Sequence, residues 1–411
     1  MSQILFRNAR LLDGLTWEPR GGAEVLVEDA EIREVSDRPI KAPGAIVLDV
    51  GGRTLMPGLI DCHVHVVAAL ANLGQNAALP NSLVAAHAAK IMRGMLMRGF
   101  TSVRDAGGAD HGLVLAQEAG LIEGPRLFIS GKALSQTGGH TDYRGRHDRR
   151  SAEHYADRLG ALGRIADGVA QVRRAAREEV KAGARYIKIM ANGGIASPTD
   201  PIRFLGFSRE EILAAVEEAE NAGTYVLAHL YTDEAIRRAV ECGVRSVEHG
   251  NLVTAETTRL IKERNAFVVP TLVTFNALAE EGGRLGLPPE SVAKIETVRT
   301  AGLNSLEILR AAGVTLGFGT DLLGEMHRHQ SREFLIRREV LPADEILASA
   351  TRVAADILGM AGRLGVVAAG ALADLIVVDG DPLSDLTVLT GQGERLAAIV
   401  QNGRFVKSRL S

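Results

Sequence analysis

Two textures of apolar and polar residues divide the chain. From Gln3 to about Pro57, the segments ILFRNARLL, AEVLVEDAEIREV and AIVLDVGG alternate apolar with polar positions. They are too short for helices and read as strands separated by turns. The same texture returns in ADLIVVDGDP and LAAIVQNGRFVK near the end. Strand-rich ends around a long middle predict one small β-sandwich domain built from both termini, residues 1–58 and 360–411.

The middle, residues 59–359, alternates on a longer scale. Eight short apolar runs stand out: LIDCHVH (59–65), TSVRDAGG (101–108), RLFISGKAL (126–134) and YIKIM (186–190), then YVLAHL (225–230), SVEHG (246–250), FVVPTL (267–272) and TLGFGTD (315–321). Between them lie amphipathic stretches rich in Ala, Glu and Arg, among them Ser82–Arg98, Gly168–Ala182, Ser208–Ala222 and Thr232–Cys242. Ser208 with Glu211 three residues on is the signature of a capped helix start. Strand alternating with helix implies parallel pairing through right-handed crossovers. Eight such units predict an α/β fold, a closed (β/α)8 TIM-like barrel. The alternative is an open doubly wound sheet, whose Gly-rich fingerprint GxGxxG is absent.

Composition agrees. The 411 residues accommodate a barrel of about 250 plus an accessory domain. A formal charge of −3 gives no reason to expect nucleic acid or an anionic membrane as partner. Two cysteines, Cys62 and Cys242, exclude a disulfide framework. The opening MSQILFRNARLLDG has no basic segment followed by an apolar run, and no stretch reaches about 18 uninterrupted apolar residues. A soluble cytoplasmic protein is expected.

The chemistry-bearing side chains fall at the C-terminal ends of the runs, where barrel enzymes carry their sites. His63 and His65 are two apart on a strand and so face the same way. Ile187 and Ile189 face opposite to Lys188, which points inward. A bare ammonium there is costly unless paired. Either it is ion-paired inside the barrel, or carbon dioxide has converted it to an anionic carbamate able to bridge two metals. His229, His249 and Asp321 close three further runs, and imidazole with carboxylate suits zinc, manganese or cobalt.

This constellation resembles the amidohydrolase superfamily, through PGLIDCHVH, Lys188, His229, His249, Asp321 and the tail GALADLIVVDGDPL. By that resemblance His63, His65 and Asp321 hold one divalent metal, zinc first among candidates, and His229 and His249 a second. Lys188, as its carbamate, bridges them. Asp321 is the catalytic residue, passing a proton from water to the leaving nitrogen. The segments GGHTDYR (138–144), KIMANGGIASPTDP (188–201), AHLYT (228–232) and GTDLLGEMHRHQSREF (319–334) narrow the likeness to the Xaa-Pro dipeptidase (prolidase) branch, with its carboxypeptidase-like and ochratoxin-hydrolysing relatives. Asp29-Ala30 departs from the Asp-Gly that many relatives carry in a hairpin.

The branch implies binuclear metal-dependent hydrolysis of an amide in Xaa-Pro dipeptides or N-acyl amino acids, by a homo-oligomer with the octamer as candidate size. His140 and Tyr231 resemble substrate-binding residues. The other readings are a loop histidine bonded to backbone and a barrel-mouth tyrosine bonded locally. The loops Ser197–Gly206 and Leu322–Ser331, with Arg203, His327 and His329, are candidate lids. His87, His111, His147 and His154 read as surface residues. Three other functions stay open: a hydrolase of Xaa-Arg/Lys or ochratoxin-type amides, a mononuclear cyclic-imine hydrolase or deaminase, and a non-catalytic scaffold. Lys188 speaks against the second and the complete ligand set against the third.

Overall fold

A computed structural model describes residues 3–197, 200–287 and 289–410. Its centre is a barrel whose strands are Leu59–Val64, Phe100–Asp105, Arg126–Ile129 continued by Ala133–Ser135, Ile187–Met190, Val226–Thr232, Ser246–Leu252, Phe267–Val269 and Thr315–Leu316. Neighbouring strands pair in parallel. The Arg185 amide donates to the Ile129 carbonyl at 2.8 Å and joins the third strand to the fourth. The ring closes where the Cys62 amide donates to Phe318 (2.7 Å) and the Asp321 amide to His63 (2.8 Å).

Two runs form less strand than their sequence suggests. RLFISGKAL breaks between Ile129 and Ala133, because Glu179 from the helix Gly168–Lys181 reaches in and accepts the Lys132 amide at 2.8 Å. TLGFGTD yields only the two-residue strand Thr315–Leu316. Beyond it a Cβ on Gly319 would stand 2.9 Å from the His63 Cβ, so the chain runs close to the first strand there because Gly319 has no side chain.

Helices cover the barrel. The one over Arg209–Asn221 opens with a full capping box: Ser208 Oγ accepts from the Glu211 amide and Glu211 returns a bond to the Ser208 amide. Among the described residues no helix is long and apolar enough to cross a membrane.

Strands from both termini form one eight-stranded sheet that folds into the β-sandwich. Thr54–Pro57 pairs antiparallel with Leu375–Val378 and so ties the two ends of the chain together. Leu375 and Val377 pack in the sandwich core with Phe6 and Val25, whereas Ile376 and Val378 pack towards the barrel. Burial on both faces explains why that strand is continuously apolar.

Candidate active site

Strand alternation delivers most of the site. On the fifth strand Ala228 and Leu230 pack against the helices, while His229 and Tyr231 face the barrel cavity. On the fourth, Ile187 and Ile189 pack outward and Lys188 faces in. The sixth strand departs from this rule. Val247 packs outward and Glu248 is buried inside, so His249 ought to face the helices. It takes φ 75° instead, and the turn brings its ring into the cavity. Asp321 also has positive φ, 52°. Such conformations cost roughly 1–3 kcal/mol each and concentrate at functional sites.

One cavity at the barrel mouth therefore gathers His63, His65, His140, Lys188, His229, Tyr231, His249 and Asp321. Its remaining wall is mostly apolar, with Leu73, Leu162, Met190, Ile195, Phe275 and Leu278. A larger open groove lined by Arg310, Glu339, Glu345 and Arg352 contains surface ion pairs such as Arg310–Glu345 and no histidine.

The hydrogen bonds of the histidines determine which ring nitrogens are available. Glu248 is fully buried and receives Arg104 Nη2 at 2.8 and 3.0 Å. Burial opposes its ionisation, but Arg104 and His63 outweigh burial and hold the carboxyl well below the usual range. An ionised carboxylate only accepts, so His63 Nδ1, 2.6 Å from Glu248 Oε2, carries the proton. His65 Nδ1 donates to the Gly107 carbonyl at 2.8 Å. In the neutral ring each Nε2 is then bare, and both point at one oxygen, Asp321 Oδ1, at 3.5 and 3.2 Å.

Lone pairs facing a carboxylate oxygen repel unless a cation lies between them. In the chain by itself a proton can serve. Burial disfavours charge on His63, yet Asp321 overrides burial and raises its pKa. A divalent metal serves the same end with more donors. His63, His249 and Asp321 offer ligand atoms within 4.8 Å of one another. This trio crosses the grouping expected from sequence, which put His249 with His229. Burial holds His229 and His249 well below the ordinary imidazole value, helped at His229 by His140 and winning at His249 over the opposing charge of Asp321, so both keep the neutral form that ligates metals. His249 Nδ1 meets Thr271 Oγ1 at 2.8 Å and His229 Nε2 meets the Gly193 carbonyl at 3.3 Å, so each keeps one free nitrogen. The donor set fits a metal centre, and the outer partners orient it.

Lys188 is 1% exposed, and burial brings its ammonium down to about 8. Among the described residues it makes no hydrogen bond or ion pair. Tyr231 stands edge-on to His229, ring centroids 4.6 Å apart, and its hydroxyl likewise has no hydrogen-bond partner among the described residues. Burial pushes its phenol well above 10, so the hydroxyl remains a donor. His140 stacks on His229 at 4.4 Å with planes 13° apart. Its Nδ1 meets a carboxylate, Asp200 Oδ2, at 3.2 Å rather than backbone.

The second candidate lid is corrected. Gly324–His329 forms a 3-10 turn in which His327 is buried against the Ala68 carbonyl (3.1 Å), and burial lowers its pKa to about 3. His329 pairs with Glu281 at 2.6 Å. Arg203, by contrast, is exposed. Pro198 and Thr199, inside the first candidate lid and the segment 188–201, lie outside the described residues. His111, His147 and His154 are exposed, and His87 is half-buried.

Sequence reading missed Arg104, Glu248, Asp200 and Thr271. The first two had a legible signal: each is a charge at an inward position of an apolar run, and the signs are opposite.

Replacing His63 or His65 by Ala should remove metal and most activity while leaving the circular dichroism spectrum unchanged, because the helix-side cores do not include either ring. Full metal content in the variant would refute the ligand assignment.

Residues 54–406 match the Amidohydrolase family. Ochratoxinase from Aspergillus niger is 34% identical over 307 residues, which span 72% of this chain and 64% of that enzyme. A crystal structure of an amidohydrolase superposes with a TM-score of 0.98 at 57% identity and covers all of both chains. A prolidase crystallised with N-methylphosphonate-L-proline superposes with a TM-score of 0.98 at 54% identity, over 99% of this chain and 100% of that one.

Proposed function

The chain belongs to the amidohydrolase family, and from that premise we propose that it is a binuclear hydrolase cleaving the amide bond of Xaa-Pro dipeptides or N-acyl amino acids. His63, His65 and Asp321 would hold one cation and His229 and His249 the other, and Lys188, as a carbamate, would supply the anion that both need. Zinc is the first candidate for both. When bound, two such ions activate water and polarise the scissile carbonyl. Asp321 would take a proton from the attacking water and deliver it to the leaving nitrogen, which departs poorly as an anion. Arg104 and Glu248 keep His63 in one tautomer. Residues 59–359 supply this site, and residues 1–58 with 360–411 form the supporting β-domain.

The observation that carries this reading is the pair of Nε2 atoms aimed at Asp321 Oδ1, beside a buried Lys188 that has no hydrogen-bond or ion-pair partner among the described residues. Two facts favour a prolyl or other apolar leaving residue over a basic one. Beyond the histidines, Lys188 and Asp321 the cavity wall is largely aliphatic and aromatic, and Asp321, already engaged by two histidines, is the one carboxylate lining it among the described residues. An Arg or Lys side chain would enter without a counter-charge. The prolidase solved with a prolyl phosphonate points the same way.

Metal analysis together with a panel of Xaa-Pro, Xaa-Arg and N-acyl amino acid substrates tests the reading. About two metals per chain and turnover of prolyl or apolar substrates are expected. One metal with cyclic-imine or ring-deaminating activity would replace it, and preference for Xaa-Arg would overturn the argument from the wall.

An exopeptidase must recognise the carboxylate beyond the scissile bond, and we assign that task to Tyr231 and His140, which both line the cavity. A charge-assisted hydrogen bond contributes ~1.5–3 kcal/mol. Tyr231→Phe should therefore lower kcat/KM for an Xaa-Pro dipeptide by roughly one to two orders of magnitude. The C-terminal amide of the same dipeptide should lose little more than it already has. Equal losses on both would make the enzyme a general amidase.

A further inference from the structure

Beside the cavity, the helix Pro289–Arg299 presents Lys294 to a bend in the chain that follows the fourth strand. Its ammonium donates to three carbonyls of that bend, Gly194 (2.9 Å), Ser197 (2.8 Å) and Asp200 (2.9 Å). Three donors matched by three acceptors use the whole bonding capacity of a lysine. The side chain is half-buried, and its burial lowers the ammonium pKa against the pull of Asp200.

Asp200 is 1% exposed and turns one oxygen, Oδ2, to two donors: the Gly194 amide at 3.0 Å and His140 Nδ1 at 3.2 Å. Its other oxygen, Oδ1, is buried and has no hydrogen-bond partner among the described residues. The same bend also presses on His140 directly, since a Cβ at Gly194 would overlap the imidazole ring. Opposite that contact, the ring stacks on His229. His140 is thus held between the bend and a metal-site histidine, with its Nδ1 edge committed to Asp200. Its other edge is left for the cavity, which His140 lines together with Ile195 and Ala196 of the bend.

We propose that Lys294 and Asp200 are positioning residues for substrate binding: Lys294 clasps the bend, Asp200 and the Gly194 backbone are thereby fixed, and together they hold His140 at the angle from which it meets the substrate. Neither touches substrate. The part assigned to His140 rests on the reading given under Proposed function; the clasp itself does not.

Two measurements on the metal-loaded full chain test this separately. In hydrogen–deuterium exchange, Lys294→Met should speed exchange at the Gly194 amide and its neighbours, with metal content unchanged. Unchanged exchange there would overturn the clasp. In a double-mutant cycle on Xaa-Pro hydrolysis, Asp200→Asn and Lys294→Met should each lower kcat/KM about tenfold, mainly through KM, in the otherwise unaltered enzyme. Both losses should shrink to less than about twofold once His140 is Asn, because the group they position is gone. Full additivity would overturn the route through His140. If Lys294→Met does not fold, Asp200→Asn alone serves both measurements, since it weakens the acceptor of the Gly194 amide. Should the unaltered enzyme fail to cleave Xaa-Pro at all, the dipeptide reading fails while the exchange contrast still decides the clasp.

Discussion

Lys188→Ala is expected to be inactive and to regain part of its activity in acetate or propionate. The side chain sits in a wall of metal-ligand types, where a positive charge would oppose two cations. No hydrogen bond or ion pair among the described residues compensates it there. Burial has already brought its ammonium down to about 8, so about a tenth is neutral amine at about pH 7, far more than for a free lysine, and only the neutral amine captures carbon dioxide. The product would be an anion in the place where two bound metals would need one. Truncation deletes that anion, and a loss of roughly a thousandfold, about 4 kcal/mol in transition-state stabilisation, is a fair scale for losing a bridging ligand. A short carboxylate diffusing into the cavity restores the charge but not the tether, hence partial rescue. Native mass spectrometry of the unaltered chain should show an excess mass of one carbon dioxide. Rescue by a small amine, with none by a carboxylate, would mean that the group acts as an amine and would remove the carbamate.

How far such a site can be read from sequence depends on whether period-two alternation survives to the strand end. It does for Lys188, His229 and Tyr231, whose neighbours Ile187, Ile189, Ala228 and Leu230 are all in the helix-side core. It fails for His249 and Asp321, which reach the cavity through positive φ angles that no pattern of apolar residues announces. Their residue type at the end of a run gave them away instead. The eighth run illustrates the same limit for the fold. Its apolar content places it in the barrel, yet two glycines and a close approach to His63 leave only two residues of regular strand. Asp200 and Lys294 could not have been found this way. They lie outside the strands, nearly a hundred residues apart, and meet where the Lys294 ammonium donates to the Asp200 carbonyl.

Arg104 and Glu248, by contrast, were open to inference and lead to a sharper expectation. The pair is fully buried at 2.8 Å beneath the histidines, and Glu248 also accepts from His63. Two roles are therefore merged in one carboxylate: neutralising Arg104 and fixing the His63 tautomer. Glu248→Ala removes both. It leaves a guanidinium buried without its counter-charge, which costs about 3–5 kcal/mol. It also frees His63 to rotate or change tautomer, and loss of such an outer partner lowers metal affinity about 10–100-fold. The roles separate in the double variant Arg104→Met/Glu248→Met. With both charges gone and the volume largely filled, most of the thermal stability of the metal-free protein should return. Metal affinity should not, because His63 Nδ1 still lacks an acceptor. Thermal unfolding of the stripped protein measures the first effect, and zinc titration against a competing chelator measures the second. If the double variant regained zinc affinity along with stability, Glu248 would serve only to balance Arg104, and the His63 tautomer would be set by something else.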